Sequence, residues 1–346
     1  VYTQKIDEMQ KIKDEVEAVN SFGGKAKFIE ANNIQINKLN SVENVDNSQE
    51  KLKISGDNIE KENLSLERNM IKEKINKILP IKAIAGIEFE NQAQFNPYKY
   101  VNSLAKICSD SGVKIYENTK AIDVDTEDED EYYVITLENG CKIKTKYLVL
   151  TTKYPIVNIP GFYFVKMYQS TSYAVAMQTK QRLFEGMYIN SENPTISLRT
   201  AKFGDDYLLI VAGFDNRTGA GIDVSNSYKY LEEVARSVYP QGQIKYHWNT
   251  EDCITLDKIP YIGDFSKMWD KAYVATGFNK WGMTTSNIAA GIITDKILGQ
   301  KNEYEEIFKS TRLEPVKNIK EMTNMVKEGI NSLVIKKLEI PKEEAN

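Results

Sequence analysis

Residues 271 to 299, KAYVATGFNKWGMTTSNIAAGIITDKILG, read as a buried strand, a glycine turn and a helix in one unbroken unit. Tyr273, Val274 and Ala275 supply the short apolar strand, Gly277 and Gly282 bracket the turn, and Thr284, Thr285 and Ser286 are expected to offer N-cap oxygens. The helix is expected to end at Gly299, with Ile288, Ala289, Ile292, Ile293 and Ile297 packed on a sheet. Ala289, Ala290 and Gly291 are small enough for close backbone approach. The start of such a helix gathers unpaired N–H groups and positive partial charge, which suits an anion. Spacing alone leaves two readings open, a ligand turn or a strand and helix that bind nothing there.

Around this unit the pattern is mixed. Residues 4 to 22 predict a charged amphipathic helix on Ile6, Met9, Ile12, Val16 and Val19, preceded by a strand at Val1 to Gln4. Residues 32 to 74 are rich in Asn, Lys, Glu and Ser and poor in aromatics, so they bury little apolar surface and read as an insertion, with a helical excursion expected near 58 to 78. From Gly161 the chain turns to strands: YFVKMYQSTSYAVAMQT, GMYINSENPTISLRTAK and DYLLIVAGFDN predict an antiparallel sheet, followed by a helix at 225 to 238. After Pro315, Val316, Ile319, Met322, Val326, Ile330 and Leu333 recur at helical spacing.

The chain has 346 residues, of which 41% are hydrophobic, enough for two domains with buried cores. A formal net charge of −4 argues against nucleic acid or an anionic membrane surface as partner. Cys108, Cys141 and Cys253 form no disulfide framework, the first residues have no apolar signal core, and no run is long enough to span a membrane. A cytoplasmic location is the expectation. One histidine and three scattered cysteines make no metal site.

The segment YVATGFNKWGMT resembles the carboxyl-terminal flavin signature of the glycine oxidase and D-amino acid oxidase superfamily of FAD-dependent oxidoreductases, most of all the members with a C-terminal Rieske domain. Further matches follow in order: Ile87 to Asp125 resembles the run from a substrate-domain strand to the strand contacting the adenine, KYLVLTTKYPI (Lys146 to Ile156) the strand and turn rejoining the dinucleotide domain, and LDKIPYIG (Leu256 to Gly263) the D-G-x-P-x-I-G segment. The resemblance covers most of residues 78 to 300 and, more weakly, 1 to 30. It implies an α/β (α+β) fold in which an incomplete, Rossmann-like FAD domain (97–160 and 255–300) interleaves with an antiparallel-sheet substrate domain (1–96 and 161–254), with a linker tail at 301–346. It implies FAD as cofactor. Residues matching cofactor-binding positions are Ala121, Thr151, Thr152, Pro260, Gly263, Gly277, Asn279, Lys280, Trp281, Gly282, Met283 and Thr284. Substrate-domain function is expected among Tyr168, Tyr173, Met187, Tyr188, Arg199 and His247, with Arg199, His247 and Lys280 as the catalytic candidates. For Arg199 and His247 a structural salt bridge or a satisfied imidazole is the competing reading.

Departures from the family pattern matter as much. The chain contains no G-x-G-x-x-G loop, from which we expect a fragment that lacks the N-terminal pyrophosphate-binding unit and needs a complementing segment or an oligomer. No C-x-H or C-x-x-H pair exists, so an iron–sulfur cluster is not expected within the chain, and a Rieske domain would start after Asn346. Thr250, Glu251, Asp252 and Cys253 stand where amino acid oxidases carry an arginine for the substrate carboxylate. Two functions stay open. One is oxidation of an amine or amino-acid-like small molecule by hydride transfer to flavin, with electrons passing to oxygen, a Rieske centre or another acceptor. The other is a non-catalytic fold remnant that binds no FAD and acts through interaction surfaces.

Overall fold

The structure, a computed structural model, describes residues 1–30, 83–127, 131–157, 159–180, 186–220 and 224–312. The expected insertion at 32–74, its helical excursion and the helix after Pro315 lie outside the described residues. Two compact units emerge, the first from residues 1–95, 172–216 and 221–250, the second from 96–171, 217–220 and 251–346.

In chain order the strands are β1 (Tyr2–Thr3), β2 (Ala26–Glu30), β3 (Ala85–Phe89), β4 (Ala121–Glu127), β5 (Tyr132–Leu137), β6 (Lys142–Thr145), β7 (Leu148–Leu150), β8 (Met167–Thr179), β9 (Tyr188–Ile189), β10 (Ile196–Phe203), β11 (Asp206–Arg217), β12 (Gln243–Thr255), β13 (Tyr261–Asp264) and β14 (Ala272–Thr276). The helices are α1 (Met9–Ser21), α2 (Pro97–Asp110), α3 (Val224–Val238), α4 (Gly282–Ile297) and the single turn α5 (Glu305–Phe308).

In the first unit, β1, β3 and β2 form an antiparallel sheet on which α1 lays Ile12 against Ala26 and Ile87. The predicted helical stripe holds from Ile12 to Val19, whereas Ile6 falls in a 3-10 turn and is exposed. The larger sheet has the order β12-β8-β11-β10-β9, with β10 and β11 paired from Ile196↔Gly213 to Phe203↔Asp206. Alternation along these strands sends Tyr173, Val175, Met177, Leu198, Leu209 and Val211 to one face, where Leu231 and Ala235 of α3 cover them. Runs rich in Tyr, Val and Ile, separated by turn residues, therefore form the antiparallel sheet where the sequence predicts it.

In the second unit, β4, β5 and β6 form an antiparallel meander, and β13-β14-β7 a separate sheet. Here β14 runs antiparallel to β13 but parallel to β7, pairing Ala272↔Leu148 through Val274↔Leu150. All five residues of β14 are buried, as a parallel strand covered on both faces requires. Buried aromatic rings fix the loops at its base. Tyr133 donates its hydroxyl to the Asp270 carbonyl at 2.5 Å and Tyr163 to the Phe265 carbonyl at 2.9 Å, satisfying polar tips of otherwise apolar groups.

One ion pair anchors the far end of this unit. Arg312 meets Asp257 with two hydrogen bonds, 2.7 and 3.0 Å, each side chain only 13% exposed. The same guanidinium donates to the Pro260 and Ile259 carbonyls and lies 3.9 Å from the Tyr261 ring centroid. Burial alone would raise the Asp257 carboxyl, but the bonds from Arg312, the Ile259 amide and Thr255 outweigh it and hold it below the usual carboxylate range. A carboxyl depressed in the folded state contributes stability above its unfolded pKa of about 3.9 and loses it as pH falls through the lower folded value. Arg312→Met is expected to cost about 3 kcal/mol in urea unfolding at neutral pH, because Asp257 stays buried without its partner. In Asp257→Asn the acid-side fall of Tm should flatten; an unchanged acid limb would remove this pair from the account of acid stability.

Candidate functional site

Beyond β14 the chain must reverse into α4 within a few residues, and the local sequence provides for it. Gly277 is buried with φ 69, and a Cβ at this position would collide with the Thr255 methyl. Asn279 and Lys280 follow at φ 49 and 72, and the Trp281 amide closes the turn on the Phe278 carbonyl at 2.8 Å. Two positive φ values in the central positions are the pattern of a type I′ turn. Asn279 is what holds it. Its Oδ1 accepts from the Thr255 amide (2.8 Å) and hydroxyl (3.2 Å), and its own amide donates to the Cys253 carbonyl at 3.2 Å. Thr255 is fully buried, so without Asn279 its amide would be left unsatisfied.

Helix α4 starts at Gly282, and no side chain caps it. The expected N-caps are corrected here: the Thr284 hydroxyl donates to the Trp281 carbonyl at 3.1 Å and that of Ser286 to the Met283 carbonyl at 3.4 Å, both within the first turns. The tight turn brings the helix start forward, which places these hydroxyls inside it. The other end is as expected. Gly299, at φ 69, donates to Lys296 (3.1 Å) while Gln300 donates to Asp295 (2.7 Å), the paired bonds of a Schellman motif. Thr285, Ala289, Ile292 and Ile293 are buried, with Ile292 and Ile293 against Ile262, Tyr273 and Ala275, whereas Ile288 and Ile297 are exposed and do not belong to the packed stripe.

Between these elements lies a cleft of about 550 Å³. Val149, Thr151 and Lys153 line it from β7 and the turn after it, Ala275 to Asn279 from β14 and its turn, Gly282, Ser286, Ala289 and Ala290 from α4, and Asp252 and Cys253 from β12. It opens at the carboxyl ends of two parallel strands, the place where α/β sheets receive ligands. Its size lies within the range of small-molecule sites. The Cys253 thiol is pushed up to about 11, chiefly by burial, with Lys153 opposing and Asp252 and Glu251 reinforcing the shift. It stays protonated at neutral pH and is no nucleophile there.

The residues singled out from the sequence fall in distinct places. Thr151, Gly277, Asn279 and Gly282 line the cleft. Thr152 is beside it, its hydroxyl donating to the Tyr154 carbonyl at 2.8 Å. Lys280, Trp281, Met283 and Thr284 are exposed on the turn and the first turn of α4. Pro260 and Gly263 do not line the cleft: the Pro260 carbonyl accepts from Arg312, and Gly263 pairs with Val274 near Ser310. Ala121 opens β4 at an irregularity of its register. Arg199 and His247 belong to the first unit. Arg199 Nη2 donates to the Phe95 carbonyl at 3.1 Å, and Nε is buried without a partner. His247 Nε2 lies 2.7 Å from Glu232 of α3, its ring edge-on to Tyr228. Tyr173 is core, Tyr188 packs beside it, Met187 is exposed, and Tyr168 lies in the second unit under Arg217 and Lys258. Among the described residues no cluster of His, Cys, Asp or Glu could hold a metal. Lys153, Phe278 and Ser286 are lining residues that the sequence expectations missed. For Lys153 the available signal was its place just past the apolar run LVL, after Thr151 and Thr152.

The sequence profile of the DAO family, FAD dependent oxidoreductase, matches residues 34–296. The chain belongs to that family. A putative Rieske 2Fe-2S iron-sulfur protein of Bacillus subtilis (strain 168), YhfW, is 32% identical over 278 residues, 80% of this chain and 53% of the relative. The probable oxidoreductase OrdL of Haemophilus influenzae is 25% identical over 252 residues, 67% of this chain and 54% of its own length. The chain thus spans about half the length of the curated relatives it matches. Among solved structures, glycine oxidase from Geobacillus kaustophilus superposes with a TM-score of 0.68 at 12% identity, covering 91% of this chain and 74% of that one. Glycine oxidase from Bacillus cereus ATCC 14579 gives 0.65 at 15% identity, covering 90% and 75%. These likenesses show that the mixed helix and sheet architecture is that of the DAO family.

Within this DAO-family chain the turn after β14 should be more sensitive than the end of α4. Gly277→Ala combines a positive φ with a clash against a buried threonine and is expected to cost about 2–4 kcal/mol. Gly299→Ala meets open space and should cost about 1 kcal/mol, from φ alone. Urea unfolding of the two variants measures the difference; equal losses would refute the steric role of Thr255.

Proposed function

We propose that this protein is an FAD-dependent oxidoreductase that oxidises an amine or amino-acid-like small molecule. The observation carrying the reading is the cleft at the carboxyl ends of β7 and β14, closed by the uncapped start of α4. The donor set fits FAD: backbone amides at Gly282 and Met283 without side-chain caps, hydroxyls on Thr151, Thr276 and Ser286, and a wall of small and apolar residues at Ala275, Ala289, Ala290 and Ile293. FAD, when bound, supplies a two-electron acceptor.

The chain's own residues would then bind and orient. The Gly277 to Gly282 turn sets the helix start, whose partial positive charge favours negative charge in the cleft without rearrangement. Asn279 keeps that turn tied to Thr255, and Val149, Phe278 and Ile293 exclude water. Cys253 holds its proton. Asp252 in the cleft, beside Glu251 and in place of a cationic clamp, disfavours a bare carboxylate at that wall and leaves an amine as the group it would attract. The name of the B. subtilis relative supports a Rieske 2Fe-2S centre as the acceptor of the electrons.

Part of the surface supports a complementing segment or a second copy. The helix α2 buries none of its residues, and Tyr98, Val101, Leu104 and Ile107 are exposed on it, while β7 is an edge strand of its sheet among the described residues. Among the described residues no helix is long and apolar enough to cross a membrane, and three unpaired cysteines support a reducing, cytoplasmic setting.

Purified full-length protein is expected to show flavin absorption that bleaches without oxygen when an amine or amino acid is added. Colourless protein that takes up no FAD would sink the reading and favour a non-catalytic interaction module.

A further inference from the structure

Strand β10 alternates between two faces. Ile196 and Leu198 are buried on the face that Leu231 and Ala235 of α3 cover, which sends Arg199 to the other. Directly across the ladder from Arg199 is Ile210, and the pairs to either side on the same face are Ser197↔Ala212 and Ala201↔Leu208. None of these neighbours carries a charge. In this hairpin the acid on the same face is Asp206, which pairs with Phe203 four residues farther along β10, about 13 Å away, and accepts a hydrogen bond from Gln178. Arg236 and Arg312 have carboxylate partners in Glu232 and Asp257, whereas half-buried Arg199 has none among the described residues. One of its five N–H donors is used, from Nη2 to the Phe95 carbonyl at 3.1 Å, and Nε is buried with no acceptor. A guanidinium so placed loses hydration and gains no ion pair in return.

We propose that Arg199 binds the carboxylate of a small-molecule ligand. The planar guanidinium matches two carboxylate oxygens bidentately, and Nε together with the N–H groups not bonded to Phe95 is left for them. The Phe95 carbonyl fixes the plane of the fork without neutralising it, so the donors are aimed before a ligand arrives. A single cation suits a monoanion: the neighbouring positions of β10 and β11 bring no second cationic side chain of the kind a phosphate dianion calls for. Leu208 and Ile210 offer apolar contact to the hydrocarbon part of such a ligand, and their walls lower the screening that water would provide. All of these groups belong to the first unit, so the assignment does not depend on FAD in the cleft of the second.

The test titrates the isotope-labelled full-length protein with butyrate and with butyramide, its uncharged counterpart, and follows the arginine Nε–H resonances by NMR. The Arg199 peak is the one missing from Arg199→Lys. Butyrate is expected to shift it saturably, and butyramide to leave it in place. Butyrate affinity should fall roughly tenfold in Arg199→Met, keep part of its strength in Arg199→Lys, and weaken with added salt. Saturating butyrate should raise the Tm of the wild type and not that of Arg199→Met, a difference that a merely structural arginine does not produce. In the FAD-loaded protein, butyrate that slows bleaching of the flavin by substrate assigns the carboxylate to the substrate, and butyrate that binds without slowing it assigns the carboxylate to a separate ligand; Arg199 is its binder in both. No shift of the Arg199 peak with butyrate, an equal shift with butyramide, or unchanged butyrate affinity in Arg199→Met would overturn the proposal. Protein that takes up no FAD would sink the oxidoreductase reading and leave these titrations as readable as before.

Discussion

The second unit depends on the parallel pairing of β14 with β7. The two strands lie roughly 120 residues apart in sequence, and residues 172–216 and 221–250 of the first unit are threaded between them. Loop closure over such a length grows only logarithmically in cost, so the pairing is affordable at equilibrium, but contacts this remote form late. Everything at the cleft follows from it. The carboxyl ends of β7 and β14 define its floor, α4 packs on Ile262, Tyr273 and Ala275 because β14 is already buried, and the turns after both strands face one another through Thr276 and Lys153.

The turn from Gly277 to Trp281 shows how local strain is held by a distant partner. Positive φ values at the non-glycine neighbours Asn279 and Lys280, close after that at Gly277, would disfavour the segment in isolation. The side chain of Asn279 reaches the buried end of β12, where it satisfies an amide that could not otherwise be paired. The conformation is therefore paid for outside the turn. Rigidity of this origin suits a site where amides must be aimed before a ligand arrives.

Much of this was legible in the sequence for identifiable reasons. The short apolar runs YAVAM, YLLIV and AYVAT, bounded by turn residues, are signals that survive without context, and the strands β8, β11 and β14 form on them. Gly299 announces the end of α4 because only its lack of a Cβ suits the closing bonds. The helix start was not legible. Thr284 and Ser286 have capping chemistry, but a turn with φ positive at Asn279 and Lys280 begins the helix already at Gly282, and backbone sign cannot be read from side chains. Nor could spacing reveal that Asn279 pairs with Thr255 or that Arg312 pairs with Asp257, since both links join residues far apart in the chain. Lys153 escaped notice because the neighbouring threonines carried the resemblance.

The burial of Cys253 gives the chain an internal chemical reporter. Cys108 and Cys141 are exposed, whereas Cys253 is 3% exposed with its thiol held protonated. A thiol reagent at neutral pH therefore counts two cysteines in the folded protein, and the third reacts only when the end of β12 opens. Because β12 ends against Asn279 at the mouth of the cleft, the rate of that third reaction follows local opening of the site separately from global unfolding.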